Sequence, residues 1–333
     1  MPSTVVIGGF FGDEGKGKII SYLAIHDKPT IVVRGGAGPN AGHTIKDGEK
    51  TYKVRMLPSG FLNKDARVMI GPGVVVNPDV LLNEINDFGV EDRAYLDNNC
   101  GIIEQSHKDV DSKGQLKEKI GSTGSGTGPA NAERAMRTLK LAKEIDNLTQ
   151  YLIDVPLEIN SALDRGENVL IEGTQGTHLS LWHGTYPFVT TKDVTASGIC
   201  ADVGVGPKRV DEVIVVFKSY LTRVGTGPMP GELDPSETSK KGWEEFGTVT
   251  GRLRRAAEFD FDLAKRAVML SSATQISITK LDVRFPNCAG VTSYNELDDD
   301  ARSFIKNIET KLGVTVTLIG TGPHVDDVID LRT

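Results

Sequence analysis

The chain has 333 residues, 38% of them hydrophobic and 25% charged, with a formal net charge of −7. That length and mixture suit one large α/β domain with a buried core, and the acidic balance excludes a broad basic face for nucleic acid or a membrane surface. No apolar run approaches the roughly 20 residues of a membrane helix, and Cys100, Cys200 and Cys288 lack metal-ligand spacing. Reduced, structural thiols and a cytoplasmic address are expected, since the first residues read as a strand rather than a leader.

Apolar runs at 4–9, 30–34, 67–71, 168–172, 212–218, 275–281 and 315–319 predict strands. Helical patterns between several of them give the βαβ rhythm of a mainly parallel sheet buried on both faces. One helix is expected near 296–312, where Leu297, Ala301, Phe304, Ile305, Ile308 and Leu312 recur at three- and four-residue spacing. Another pattern runs from about Asn131 to Val155, ahead of Pro156. Without repeats or a low-complexity linker, residues 1–333 read as a single domain.

The first motif follows the first strand. Gly12, Asp13, Glu14, Gly15, Lys16, Gly17 and Lys18 form a glycine-rich turn into a helix bearing Ile19, Ile20 and Leu23. Backbone N–H groups and the macrodipole at such a helix start suit phosphate. Ile19 stands where a P-loop carries its Mg²⁺ hydroxyl, so a metal would take its ligand elsewhere, with Asp13 the nearest carboxylate. Acids beside an anion site make sense when a cation bridges them, and the combination points to phosphoryl transfer.

A second glycine-dense stretch, Arg34 to Thr44, carries Asn40, Ala41, Gly42 and His43, the last a proton-donor candidate. The Gly/Ser/Thr run from Ile120 to Pro129 contains Thr123 and leads into a helix with Arg134 and Arg137. Gln175 lies just past a strand end, where ligands gather in parallel sheets, and Thr190 closes a hydroxyl-rich segment after His183. His178 and His183 have no partner ligands at metal spacing. Thr248, Val249, Thr250, Gly251, Arg252, Leu253 and Arg254 bring cations into an acidic chain and suit a small anion, against the common alternative of a solvated charge run. Lys280, Leu281 and Asp282 follow Thr279 in a Thr-Lys-x-Asp pattern that can read guanine, with Gly320, Thr321 and Gly322 as a second wall.

In this order, GDEGKGK, NAGHT, GSTGSGTGP, EGTQGT, HGTYPFVT, GTVTGRLRR, TKLD and GTGP resemble the adenylosuccinate synthetase family, in its shorter form, across residues 5 to 323. The resemblance implies a P-loop-like α/β fold with a large, mainly parallel central sheet flanked by helices. It also implies a homodimeric, GTP-dependent ligase that converts IMP and L-aspartate to adenylosuccinate, GDP and phosphate through 6-phosphoryl-IMP.

Further implications concern single residues. Asp13 would be the base at N1 of IMP, His43 the matching acid, Lys16 a catalytic phosphate ligand, and Gln175 a group near the 6-position. Mg²⁺ would be held by Asp13 and the carbonyl of Gly42. GTP would meet Gly12 to Lys18, Gly42 to Thr44, Arg254, Lys280 to Asp282, and Gly320 to Gly322. IMP would meet Asp13 to Lys16, Asn40 to His43, Thr123, Gln175, Thr190 and Arg252, with Arg137 from the second subunit. Residues 248–254 would hold aspartate.

Departures from the family pattern are Phe10-Phe11 ahead of the turn, Val249 and Leu253 in the aspartate loop, Gly231, Ala256-Ala257-Glu258 and Gly320. Two alternatives stand beside the main reading. One is a relative making 2-amino-adenylosuccinate from dGMP, against which the presence of Asp13 argues. The other is a GTP-binding switch protein, which would need neither an arginine-rich loop nor His43.

Overall fold

The computed structural model describes residues 3–113, 118, 120–247, 251 and 253–332. Its frame is a ten-stranded sheet. From one edge the order is Val328–Asp330, Val316–Gly320, Gln275–Thr279, Glu212–Lys218, Ser3–Gly8, Val169–Glu172, Ile31–Arg34, Arg67–Ile70, Ala94–Asp97 and Leu152–Ile153. Every pairing is parallel except that of Val328–Asp330 with Val316–Gly320.

The first strand shows why its sequence is continuously apolar. Val5 and Ile7 face one packed layer, with Val33, Ile171 and Val215. Val6 faces the other, with Val32, Leu170, Ile214 and Val216. A strand covered on both sides has no polar face to alternate with. The helix Lys16–His26 supplies the second layer, inserting Ile19, Ile20 and Leu23, all essentially inaccessible. Truncating one of these to alanine would cost about 2–5 kcal/mol.

All seven expected strands are present, with ends displaced by a residue or two. Ala94–Asp97, Leu152–Ile153 and Val328–Asp330 carry too few consecutive apolar residues to announce themselves. The expected C-terminal helix spans Asp299–Leu312, capped by Asp298 accepting from the Ala301 amide at 2.7 Å and ended by Gly313 at φ 68.

The pattern from Asn131 to Val155 is not one helix, and the expectation is corrected here. A helix covers Thr127–Met136 and stops at Arg137, whose φ is 67. Short 3-10 turns follow at Ala142–Glu144 and Asp146–Tyr151. Tertiary contacts override the periodicity. The Ile102 amide donates to the Lys140 carbonyl at 2.9 Å, and Leu139 belongs to a different apolar cluster from Ala142, Leu148 and Tyr151.

Ser3–Gly8 is the strand from which the chain moves first to one side of the sheet and later to the other. Loops leaving adjacent strands there diverge, and the crevice beyond their carboxyl ends is where open α/β sheets bind ligands.

Candidate active site

A cavity of about 610 Å³ occupies that crevice. Of the residues expected at a site, Gly12, Asp13, Gly15 to Lys18, Asn40 to Thr44, Thr123, Gln175, Thr190, Arg254, Lys280 and Gly322 line it. They come from loops far apart in sequence, and the sheet gathers them.

The phosphate turn depends on left-handed backbone at Gly12, Asp13 and Gly15, with φ of 85, 61 and 86. Glycine adopts this freely, and aspartate is among the few other residues that tolerate it. Glu14 turns inward, where its Oε1 accepts from the amides of Phe10 at 3.0 Å and Gly12 at 2.8 Å. Its Oε2 pairs with Lys16 Nζ at 2.8 Å, and the same ammonium donates to the Gln175 carbonyl. Glu14 therefore braces the turn from beneath and leaves Asp13 as the acid on the cavity side of the turn. A Cβ on Gly8 would fall 2.4 Å from Glu14 Oε2, so the strand must end in glycine for the brace to fit.

The glycine-dense stretch around His43 reads as a loop. His43 opens the strand His43–Asp47 instead and is 9% exposed. Its Nδ1 lies 2.7 Å from Ser59 Oγ and 2.9 Å from Glu172 Oε1. Glu172 also accepts from the Ser59 amide at 2.6 Å, and Arg34 stands 3.8 Å away. Burial pushes the imidazole below its ordinary value, with Glu172 opposing. Burial alone would raise the Glu172 carboxyl, but His43 and Arg34 outweigh it and hold it low. The sequence offered one clue to Glu172 and Arg34: each is a charge at the carboxyl end of an apolar strand.

Gln175, at φ 52, donates from Nε2 to Asn40 Oδ1 at 3.1 Å, and Asn40 donates to Thr190 Oγ1 at 3.4 Å. Three separate motifs thus meet in one polar chain. Thr123 lies beside Ser125, 2.9 Å between hydroxyls, in a loop held by Asp111, whose Oδ2 accepts from the Gly126 amide at 2.8 Å. Arg137 is elsewhere: exposed at the end of its helix and off the cavity wall.

On the opposite wall Arg254 is 8% exposed, its Nε 2.8 Å from Asp13 Oδ2 and its Nη1 bonded to Glu245. Glu245 also accepts from Lys218 at 2.9 Å and from the Tyr220 hydroxyl. Burial works to raise the Glu245 carboxyl, yet Lys218, Lys280 and Arg254 together bring it down to about 2. Arg223, unflagged by any motif, lies over the Phe11 ring with its Cζ 4.4 Å from the centroid, and burial lowers it to about 10. Phe10, by contrast, is a core residue packed on Phe217 and Phe259. Thr248, Val249, Thr250 and Arg252 lie outside the described residues. Gly251 and Leu253 are exposed, and neither lines the cavity.

The expected base reader is a strand end. The strand Gln275–Thr279 stops, Lys280 takes φ 59, and Leu281–Arg284 begins a helical turn, which shortens the expected strand by two residues. Asp282 Oδ1 is buried without a hydrogen-bond partner among the described residues, and burial raises its carboxyl. Leu281 and Thr321 are fully buried behind the wall, where the Thr321 hydroxyl donates to the Val291 carbonyl at 2.7 Å. Lys18 does not point at the turn's amides: its ammonium donates to the carbonyls of Gly322 and Asp327, each at 2.6 Å.

A mainly parallel sheet whose strand ends gather a glycine-rich turn at a helix start, a half-buried carboxylate and a buried imidazole around one crevice has the architecture of a nucleotide-dependent phosphoryl-transfer enzyme. The family model described as adenylosuccinate synthetase matches residues 5–143 and 138–287. The adenylosuccinate synthetase of Methanocaldococcus jannaschii is 56% identical over 99% of this chain and 96% of its own length. That of Methanococcus aeolicus is 54% identical over the whole of both chains. Among solved structures, the fully ligated adenylosuccinate synthetase of Plasmodium falciparum superposes with a TM-score of 0.90 at 28% identity, covering 99% of each chain. A cyanophage S-2L succinoaminodeoxyadenylate synthetase bound to dGMP and dATP gives a TM-score of 0.83 at 26% identity, over 100% of this chain and 96% of the other.

The chain belongs to the adenylosuccinate synthetase family. It is a GTP-dependent ligase of purine biosynthesis that joins IMP and L-aspartate, a reading the archaeal relatives favour over both alternatives. Among the described residues no helix is long and apolar enough to cross a membrane.

Proposed function

We propose that Asp13 accepts the N1 proton of IMP, so that O6 becomes nucleophilic and attacks the γ-phosphate of GTP. His43 donates towards the charge leaving on the phosphates, and Lys16 with the turn amides holds the transferred group. O6 of hypoxanthine is a poor leaving group, whereas a phosphate ester at that position can be displaced by the aspartate amine. The catalysis lies in positioning and charge stabilisation. The observation that carries this reading is that Asp13, Lys16, His43, Gln175 and Arg254 share one cavity.

The residues present fit Mg²⁺. Among the described residues no cluster of three or more His, Cys, Asp or Glu could cage a metal, yet Asp13 and Gly42 both border the cavity. One carboxylate plus phosphates and water is the usual shell of this cation. When bound, Mg²⁺ supplies positive charge at the transferred phosphoryl group.

Asn40, Thr123 and Thr190 hold the IMP phosphate, joined by Arg137 of the partner subunit. The exposed position of Arg137 at a helix end, away from its own cavity, supports a role across a homodimer interface. Arg252 and Arg254 bind carboxylates of aspartate. Asp282, whose Oδ1 has no hydrogen-bond partner among the described residues, accepts from the N1–H and N2–H₂ donors of guanine through its carboxylate. The protein works as one domain in the cytoplasm.

The test is a coupled assay with IMP, aspartate, GTP and Mg²⁺, omitting each in turn. Turnover is expected only with all four. Phosphate release from GTP at an equal rate without IMP and aspartate would overturn the reading, as would normal turnover by Asp13→Ala.

A further inference from the structure

In the Gly12-x-x-x-x-Gly17-Lys18 spacing, Lys18 stands at the P-loop lysine position, which is ordinarily read as a phosphate ligand. Lys18 is built differently. Only 9% exposed, it directs its ammonium to two backbone carbonyls, that of Gly322 on the far wall of the cavity and that of Asp327 behind it. The Asp327 carbonyl accepts also from the Thr321 amide at 2.9 Å, so the ammonium closes the loop that carries Gly322. A Cβ on Gly320 would sit 3.3 Å from Lys18 Nζ, so the ammonium passes close to the backbone of that wall.

A second tie joins the same two parts of the site. The Thr279 hydroxyl donates to the Glu14 carbonyl at 2.5 Å, linking the last residue of the base-reading strand to the phosphate turn. Asp282 and Asp327 are among the charges that favour the Lys18 ammonium, against the burial that lowers it to about 8. The phosphate turn and the base wall are thus fastened to each other at two points.

We infer that Lys18 is a positioning residue for nucleobase selection: through the Gly322 and Asp327 carbonyls it fixes the wall that carries Gly322 relative to the phosphate turn, and so the span between triphosphate and purine. The inference rests on Asp282 being the guanine reader. A rigid span lets the base donors meet Asp282 only when the phosphates are seated, which converts base identity into affinity.

The test uses the full-length enzyme and three probes, GTP, ATP and inorganic tripolyphosphate, with binding measured alongside KM and kcat. For Lys18→Met, GTP affinity is expected to fall by about tenfold or more and the preference for GTP over ATP to shrink by a similar factor. Tripolyphosphate affinity should change by less than about threefold, and kcat should fall by a smaller factor than KM for GTP rises. Lys18→Arg, which can still donate to two carbonyls, should recover part of the preference.

If GTP and tripolyphosphate weaken together with the preference intact, Lys18 is a phosphate ligand and the inference fails. Asp282→Asn separates the two levels. If that variant keeps the preference, the guanine reading itself falls; if it loses the preference while Lys18→Met keeps it, only the role of Lys18 falls. Should Lys18→Met not fold, Lys18→Gln keeps a polar end but loses the charge and the reach, and an unchanged GTP preference there would equally overturn the inference.

Discussion

Asp13 and Arg254 face each other across the cavity, Nε to Oδ2, at 2.8 Å. Nε makes no hydrogen bond among the described residues, so the attraction is coulombic. Arg254 is buried and anchored by Glu245, while the Asp13 side chain keeps 29% exposure. The acid at the centre of the proposed chemistry is therefore held by a cation from the segment proposed to bind aspartate.

Asp13→Asn keeps the shape and tolerates the left-handed backbone, but removes the proton acceptor. We expect kcat to fall by about 10²–10⁴-fold with GTP binding largely retained. Single-turnover assays alongside equilibrium binding check this, and a variant within tenfold of normal kcat would remove Asp13 from its role.

Glu245 has a folded pKa of about 2 against an ordinary 4.5. The ionised form is preferred in the fold, so its stabilisation is complete above about pH 4.5 and disappears as pH falls towards 2. Its size is on the order of 3 kcal/mol. Melting curves between pH 6 and pH 2 should show a decline that Glu245→Gln flattens; parallel curves for the two proteins would contradict the assignment.

Glu172→Gln removes the charge beside His43 and Arg34. Loss of a charge-assisted contact of this kind is worth about 1.5–3 kcal/mol, so kcat should drop by roughly 10- to 100-fold with KM for GTP nearly constant. Arg34 is left buried without its counter-charge, so melting temperature should fall as well. Ser59→Ala, which leaves both charges in place, should lose less of each. Equal losses in the two variants would mean that Glu172 matters only for folding.

Gly17→Ala would place a methyl 2.6 Å from His43 Cβ. The helix start and the His43 strand cannot both stay in place, so destabilisation of about 1–3 kcal/mol and a loss of kcat are expected. Chemical denaturation measures the first; an alanine variant as stable as the parent would show that the strand gives way freely.

The central strands and the helix after the phosphate turn were legible because each is marked locally, by a run of β-branched residues or a glycine turn before an apolar stripe. The region after Arg137 was misread. Its periodicity continues, but the chain is bent by pairing with Ile102 and by apolar residues claimed by separate clusters. Edge strands such as Leu152–Ile153 were invisible because two residues carry no pattern.

For the site, the sequence by itself determined which loops hold the chemistry and the family they resemble, since glycine turns and strand-end charges are local signals. Tertiary structure alone decided what each charge does. It turned Glu14 inward as a brace, set Glu172 behind His43, gave Arg254 to both Asp13 and Glu245, and sent Lys18 to the base wall. The reason is physical: a charged side chain takes its meaning from what replaces its water, and those partners lie up to hundreds of residues away in sequence.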